Sequence, residues 1–193
     1  LSTGFNRVIQ NVGSVSNQGV EFSLSGLIID KKDFSWEANF NISTNKNKVL
    51  ALNSGQDWIK TDAQYDFASG STPEYHYISE VGQPVGMMYG FVYDGLYQIE
   101  DFNFDPNAPA IAPYVLKDGL PSYRNNGLGP GHVKYVDQNG DGIIDQEDRT
   151  VIGNPHPDHF GGLNNSFKFK NFEVAFLLQW SYCFDVFNAN QAS

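Results

Sequence analysis

The chain has 193 residues, with 22 Asp and Glu against 12 Lys and Arg, for a net charge of −10. That balance argues against nucleic acid, because phosphate binding needs clustered Lys and Arg. No stretch is long and apolar enough for a transmembrane helix, which leaves open a membrane barrel, whose alternating strands average out as polar.

The length fits one domain. The chain opens on Leu1, with no initiator Met and no signal peptide, as a fragment or processed chain would. An aromatic content of 15% together with 19 Gly points to β-structure with elaborate loops. The single cysteine, Cys183, sits among aromatics and is expected to be a small buried hydrophobe.

Residues 1–17 are polar, with Gly13 and Asn17 as turn signals. From Gly19 the chain alternates, with Val20, Phe22, Leu24, Gly26 and Ile28 on one face and Glu21, Ser23 and Ser25 on the other. Asp30–Asp33 forms a short turn. Phe34, Trp36, Ala38, Phe40, Ile42 and Thr44 then face one way, and Ser35, Glu37, Asn39, Asn41 and Ser43 the other. Successive side chains on a strand point to opposite faces, so 1–44 contains an antiparallel hairpin with strands of about ten residues each.

Residues 159–193 repeat the device. Gly161, Leu163, Phe167 and Phe169 share a face on which Asn165 is the one polar residue. Lys170-Asn171 makes the turn, and Phe172, Val174, Phe176, Leu178, Trp180 and Tyr182 line the apolar side of the return. Alternation fits two solvents: a second sheet in a soluble sandwich, or lipid around a barrel. Strand length, the absence of charge from the apolar faces and the gathering of aromatics near the strand ends favour lipid.

The segment 45–158 between the hairpins must leave and return on the side opposite the short turns. In a barrel this makes it one very long extracellular loop. Such a length implies a function or a fold of its own. Its first part carries Trp58, Tyr65, Phe67, Tyr75 and Tyr77, and its middle Tyr89, Phe91, Tyr93 and Tyr97 among Gly82, Gly86, Gly90 and Gly95. Exposed rings suit a sugar or peptide, which makes Trp58, Tyr75, Tyr77, Tyr89, Tyr93 and Tyr97 candidate ligand contacts. The alternative is that they pack the loop's own core. Residues 101–131, rich in Pro, Asn and Gly, are expected to be irregular.

Asp137–Asp148, DQNGDGIIDQED, is the sharpest motif. Asp137, Asn139, Asp141, Asp145 and Asp148 supply side-chain oxygens, Ile143 a backbone carbonyl, Gly142 the sharp turn, and Ile144 an apolar side chain pointing inward. This is the EF-hand spacing with Asp in place of the final Glu, a shorter carboxylate that weakens bidentate binding. Ca²⁺ is the expected ion and Mg²⁺ the alternative; the competing reading is a solvated cluster of Asx turns. His76, His132, His156 and His159 are scattered, and no nucleophile–base order stands out, so no enzyme is expected, with a carboxylate pair for glycoside hydrolysis the one arrangement that the sequence leaves open.

NQGVEFSLSG, VGQPVGMMYGFVYDGLYQ and the run from Gly131 to Trp180 resemble the C-terminal part of SusC/RagA-type TonB-dependent outer-membrane transporters of Bacteroidetes. Asp148-Arg149-Thr150, then Ile152-Gly153-Asn154-Pro155 and Pro157-Asp158, carry the likeness most specifically. His132 departs from the usual acidic residue. The resemblance implies an outer-membrane barrel of about 22 strands with a plug. It also implies import of glycan or peptide fragments with energy from TonB, and a SusD-like surface lipoprotein as lid. This chain would supply barrel strands and an extracellular loop, with outer-membrane lipid around them. The alternative is a soluble calcium-stabilised β-sandwich that binds carbohydrate.

Overall fold

A computed structural model describes residues 13–62, 75–107, 113–123 and 128–188. Tyr65 and Phe67 lie outside that set, as does residue 1–12 of the polar leader. The strands are β1 (Gly13–Lys31), β2 (Phe34–Leu52), β3 (Trp58–Asp62), β4 (Tyr75–Glu80), β5 (Met87–Gly90), β6 (Tyr93–Leu96) and β7 (Phe102–Phe104). They continue with β8 (Tyr114–Leu116), β9 (Ser122–Tyr123), β10 (Val133–Tyr135), β11 (Ile143–Ile144), β12 (Thr150–Gly153), β13 (His159–Phe169) and β14 (Phe172–Tyr182). The protein is all-β, and none of its described helices is long and apolar enough to cross a membrane.

Two compact units are present, one of Leu1–Asp62, Tyr77–Met88 and Gly153–Ser193, the other of Ala63–His76 and Tyr89–Ile152. The first is built on an open antiparallel sheet in the order β1-β2-β13-β14. The two expected turns lie side by side at one end of this sheet, where the Lys170 N–H donates to the Asp33 carbonyl at 2.9 Å. The first turn is tighter than the four residues expected, since Lys31 already pairs with Phe34.

Pairing places the expected apolar residues in rows across the sheet. Phe34, Phe169 and Phe172 form the row nearest the turns; Trp36, Phe167 and Val174 the next. Gly26, Ala38, Asn165 and Phe176 follow, then Leu24, Phe40, Leu163 and Leu178, then Phe22, Ile42, Gly161 and Trp180. Aromatic contacts link the rows: Trp36 stacks on Phe167 at 5.5 Å, Phe167 on Phe176 at 5.9 Å, and Phe40 on Trp180 at 5.8 Å. Asn165, the polar exception, is buried and accepts from the Trp36 indole N–H at 3.2 Å, so its amide oxygen is satisfied within the apolar face. Gly161 is required where it stands: a Cβ there would meet the Asn41 carbonyl and lie 2.6 Å from the Trp180 ring.

No second sheet covers these rows among the described residues. Leu24 is 61% exposed and Phe172 75%, with Val20, Val174 and Leu178 also exposed.

Several features depart from what the sequence led one to expect. Both hairpin strands have 19 residues, not about ten. Their outer parts are largely polar on both faces over 13–19 and 45–48, and 49–52 is apolar on both, so period two left no trace there, yet the backbone ladder continues. Asn17, expected at a turn, pairs with Asn47 inside the strand. A bulge then shifts the register at Ile28: Leu27 pairs with Glu37 and Ile29 with Trp36, so Ile29 joins the apolar face. The same shift sets Lys31 opposite Phe34, at the margin of a face expected to carry no charge. Finally, Cys183 is exposed, because β14 ends at Tyr182 and the chain turns there with φ 59° at Cys183. A hydrogen bond from the thiol to the Asp158 carboxylate pushes the thiol's pKa up.

The outer end of β2 holds the Val81–Gly86 turn. Val49, buried, donates to the Gln83 carbonyl and accepts from the Gly82 N–H, both at 2.9 Å, and Asn47 Oδ1 accepts from the Val85 N–H at 2.7 Å. In the second unit, β6 pairs with β10, β7 with β8, and β9 runs parallel to β11. The stretch 101–131, expected to be irregular, thus contributes three short strands. These strands are two or three residues long, too short for a periodic signal.

Candidate cation loop and aromatic sites

The Asp137–Asp148 loop is closed by its own amides. Asp137 accepts from the Gly140 N–H at 2.7 Å and the Gly142 N–H at 2.8 Å. Asn139 Oδ1 accepts from the Asp141 N–H at 2.9 Å, and Asp141 Oδ1 from the Ile143 N–H at 2.7 Å. Gly140 and Gly142 take φ 76° and 81°, the left-handed turn that a Cβ resists. Ile143 and Ile144 pair in parallel with Ser122 and Tyr123, and Ile144 is 3% exposed, pointing inward as its place in the motif requires.

Asp148 is the centre of the loop. Its side chain is fully buried; one oxygen accepts from the Gln138 N–H at 2.9 Å and the other from the Asp145 N–H at 2.7 Å. Asp145 accepts from the Glu147 N–H at 2.9 Å, completing a reciprocal cap on a short 3₁₀ turn. Burial pushes the Asp148 carboxyl up, but hydrogen bonds from the Asp145, Gln138 and Asn139 backbones and the neighbouring Asp137 outweigh it and hold the pKa below the usual value. This anchoring role was not legible in the sequence, where Asp148 was only the last donor of a metal motif.

The donor set fits a hard cation in kind: carboxylates, an amide oxygen and a carbonyl around a glycine turn. Each carboxylate oxygen offers two lone pairs, so accepting one N–H leaves capacity for an ion. Among the described residues, however, no three His, Cys, Asp or Glu side chains are gathered closely enough to hold a metal as they stand. An ion would have to bring the carboxylates of Asp137, Asp141 and Asp145 closer to the buried Asp148.

The candidate ligand rings are divided between the two units. Trp58 is 50% exposed with Lys60 Nζ 4.7 Å above its ring, and Tyr77 meets Phe187 edge-on at 6.3 Å. The Tyr75 side chain lies outside the described residues. Tyr89 is half-buried and Tyr93 62% exposed. Tyr97 takes the other course, that of a ring packed into the loop's own core. Its ring is 1% exposed, its hydroxyl donates to the Pro121 carbonyl, and Phe102 packs edge-on at 6.0 Å, so it is part of the second unit's core and offers no exposed ring face.

Around Tyr97 the second unit assembles its own aromatic core. Tyr123 donates to the Val133 carbonyl at 2.8 Å and lies edge-on to Tyr135, which stacks with Phe91 at 5.0 Å. Arg149 lies over Phe91 at 4.9 Å, a contact with no sequence signal. Burial, followed by Tyr135 and Tyr97, pushes the Tyr123 hydroxyl up to about 12.

No protein-family model matches the chain. It is 33% identical over 186 residues to TonB-dependent receptor P3 of Formosa agariphila, covering 96% of this chain and 17% of that protein. TonB-dependent receptor SusC of Bacteroides thetaiotaomicron is 28% identical over 200 residues, covering 100% of this chain and 17% of its own length. Among solved structures, the RagAB peptide importer in its closed-closed state superposes with a TM-score of 0.57 at 21% identity, over 89% of this chain and 16% of that one. The chain thus spans under a fifth of the length of these relatives, and the structural likeness shows the fold.

Proposed function

We propose that this chain, which belongs with the SusC/RagA-type TonB-dependent receptors, supplies wall strands and an outward loop to an outer-membrane importer of glycan or peptide fragments. The uncovered apolar face of the β1-β2-β13-β14 sheet carries the reading. From the Phe34 row to the Ile42 row is eight residues, about 27 Å along a strand and about 20 Å in height at a tilt of about 40°. Aromatic rings at both limits match the girdles of a hydrocarbon band about 25 Å tall. A soluble sandwich would need that face covered, and is not favoured.

In this arrangement the paired turns are periplasmic and the second unit is extracellular. There it would contact incoming ligand or a SusD-like surface lipoprotein, while TonB would act through parts of the protein beyond this segment. The exposed rings of Trp58 and Tyr93 are the remaining candidate ligand contacts, with Tyr77 and Tyr89 partly accessible. Removing residues 89–152 from the full-length protein should leave a heat-modifiable, detergent-requiring barrel while uptake of labelled glycan or peptide fragments stops. Uptake unchanged by that deletion would remove the loop's role.

The loop at 137–148 is proposed to bind Ca²⁺ through Asp137, Asn139, Asp141, the Ile143 carbonyl, Asp145 and Asp148, with Mg²⁺ as the alternative. A bound ion stabilises only the ordered form. Calcium should therefore protect 95–155 from protease in the parent and lose that effect in Asp141→Ala. Equal protection in both, with or without chelator, would leave the loop as a hydrogen-bonded turn without an ion.

A further inference from the structure

The outward face of β2 does not end at its aromatic row. Pairing continues without a shift from Ile42 to Val49, so Thr44, Lys46 and Lys48 follow Phe40 and Ile42 on the same face. Asn47 and Val49 lie on the other face, where Asn47 accepts from the Val81–Gly86 turn. Opposite the lysines stand Gln18 and Ser16. From Val20 to Ser16 and from Ile42 to Lys48 this face of the two strands carries no carboxylate; Glu21, the next along β1, is on the other face and accepts from Ser43. Lys46 and Lys48 are both exposed, and neither makes an ion pair with another described residue. The turn end of the same hairpin differs, mixing Lys31 and Lys32 with Asp30 and Asp33.

We infer that Lys46 and Lys48 bind the phosphate groups of a glycolipid headgroup in the outer leaflet. The inference rests on the reading that this face meets lipid. Tyr182 and His159 stack at 5.0 Å at the end of the apolar rows, one row beyond Trp180 and so level with Thr44. Lys46 and Lys48 stand two and four residues further out, about 5 and 10 Å higher at a tilt of about 40°. That is where headgroups begin. Two ammonium groups on alternate residues of one strand are about 7 Å apart, close enough for the phosphates of a single headgroup or of two neighbours. The Lys48 Cε lies 4.0 Å from where a Cβ at Gly82 would stand, so its aliphatic stem rests against the Val81–Gly86 turn while the residue stays exposed.

The test uses the full-length protein in detergent, titrated with phosphorylated lipid A, with the same lipid stripped of phosphate, and with inorganic phosphate. The double variant Lys46→Gln/Lys48→Gln should bind phosphorylated lipid A about 30-fold more weakly, as expected for two lysines near an anionic surface. The double Arg variant should bind like the parent, and phosphate-free lipid should not distinguish the three proteins. Unchanged affinity in the Gln variant would overturn the inference, as would displacement of the lipid by inorganic phosphate at equal concentration. If the Gln variant still inserts into vesicles while its lipid affinity is unchanged, the membrane reading stands and only the lysine site falls. If the parent itself fails to insert, both fall.

Discussion

Leu24→Arg is expected to destabilise the full-length protein in a bilayer by about 2–4 kcal/mol, the cost of an arginine near the midplane on the lipid side of a barrel. Leu24 lies one row from the middle of the apolar band and is 61% exposed, so the substitution breaks no packed core. Its neighbour Ser23 faces the other way, opposite Asn41. Ser23→Arg should cost well under half as much. Urea unfolding in phospholipid vesicles reads the difference. Equal costs at the two positions would mean that both faces meet water.

Asp148→Ala should be the most damaging single change in the second unit. It removes both acceptors for the Gln138 and Asp145 N–H groups from a fully buried position. Hydrogen bonds to a charged group contribute about 1.5–3 kcal/mol each, so the loss is about 3–6 kcal/mol. Asp148→Asn keeps the size but offers one oxygen and turns an amide donor toward another donor, and should fall between. Amide hydrogen exchange at 133–150 measures both, and parent-like protection in the alanine variant would contradict the anchoring role. The pH dependence has the same origin. Because the folded carboxyl has a lowered pKa, its contribution is fully present above the ordinary carboxylate value of about 3.9. It declines as pH falls from there through the lower folded value, so neutral and mildly acidic buffers should leave protection of the loop intact.

How much of this could be read from the residues follows from which signals have a period. The apolar rows and both turns were legible, because each of Phe22, Leu24, Phe34 to Ile42 and Phe172 to Trp180 repeats every second residue. The Ile28 bulge was not, since Leu27, Ile28 and Ile29 are all apolar and no polarity marks the extra residue. Beyond Thr44 the strand persists through Asn45, Lys46, Asn47 and Lys48, where backbone pairing with β1 replaces any pattern of side chains. In the loop, composition located the oxygens of Asp137 to Asp148 but not their partners. Asp148 was legible as a donor to an ion and is found as an acceptor of backbone amides. Tyr97 shows the limit for aromatic residues: ring identity signals a large apolar surface, and only the fold decides whether that surface is spent on a core or offered outside.

The central claim is that the apolar rows touch hydrocarbon. Nitroxide labels at Val174 and Glu173, adjacent residues on opposite faces of β14, test it most directly in reconstituted full-length protein with Cys183 changed to Ser. The label at 174 should collide chiefly with oxygen, which concentrates in lipid, and the label at 173 chiefly with a water-soluble nickel chelate. If both labels meet the chelate alike, the face is wet and the membrane-wall reading is wrong.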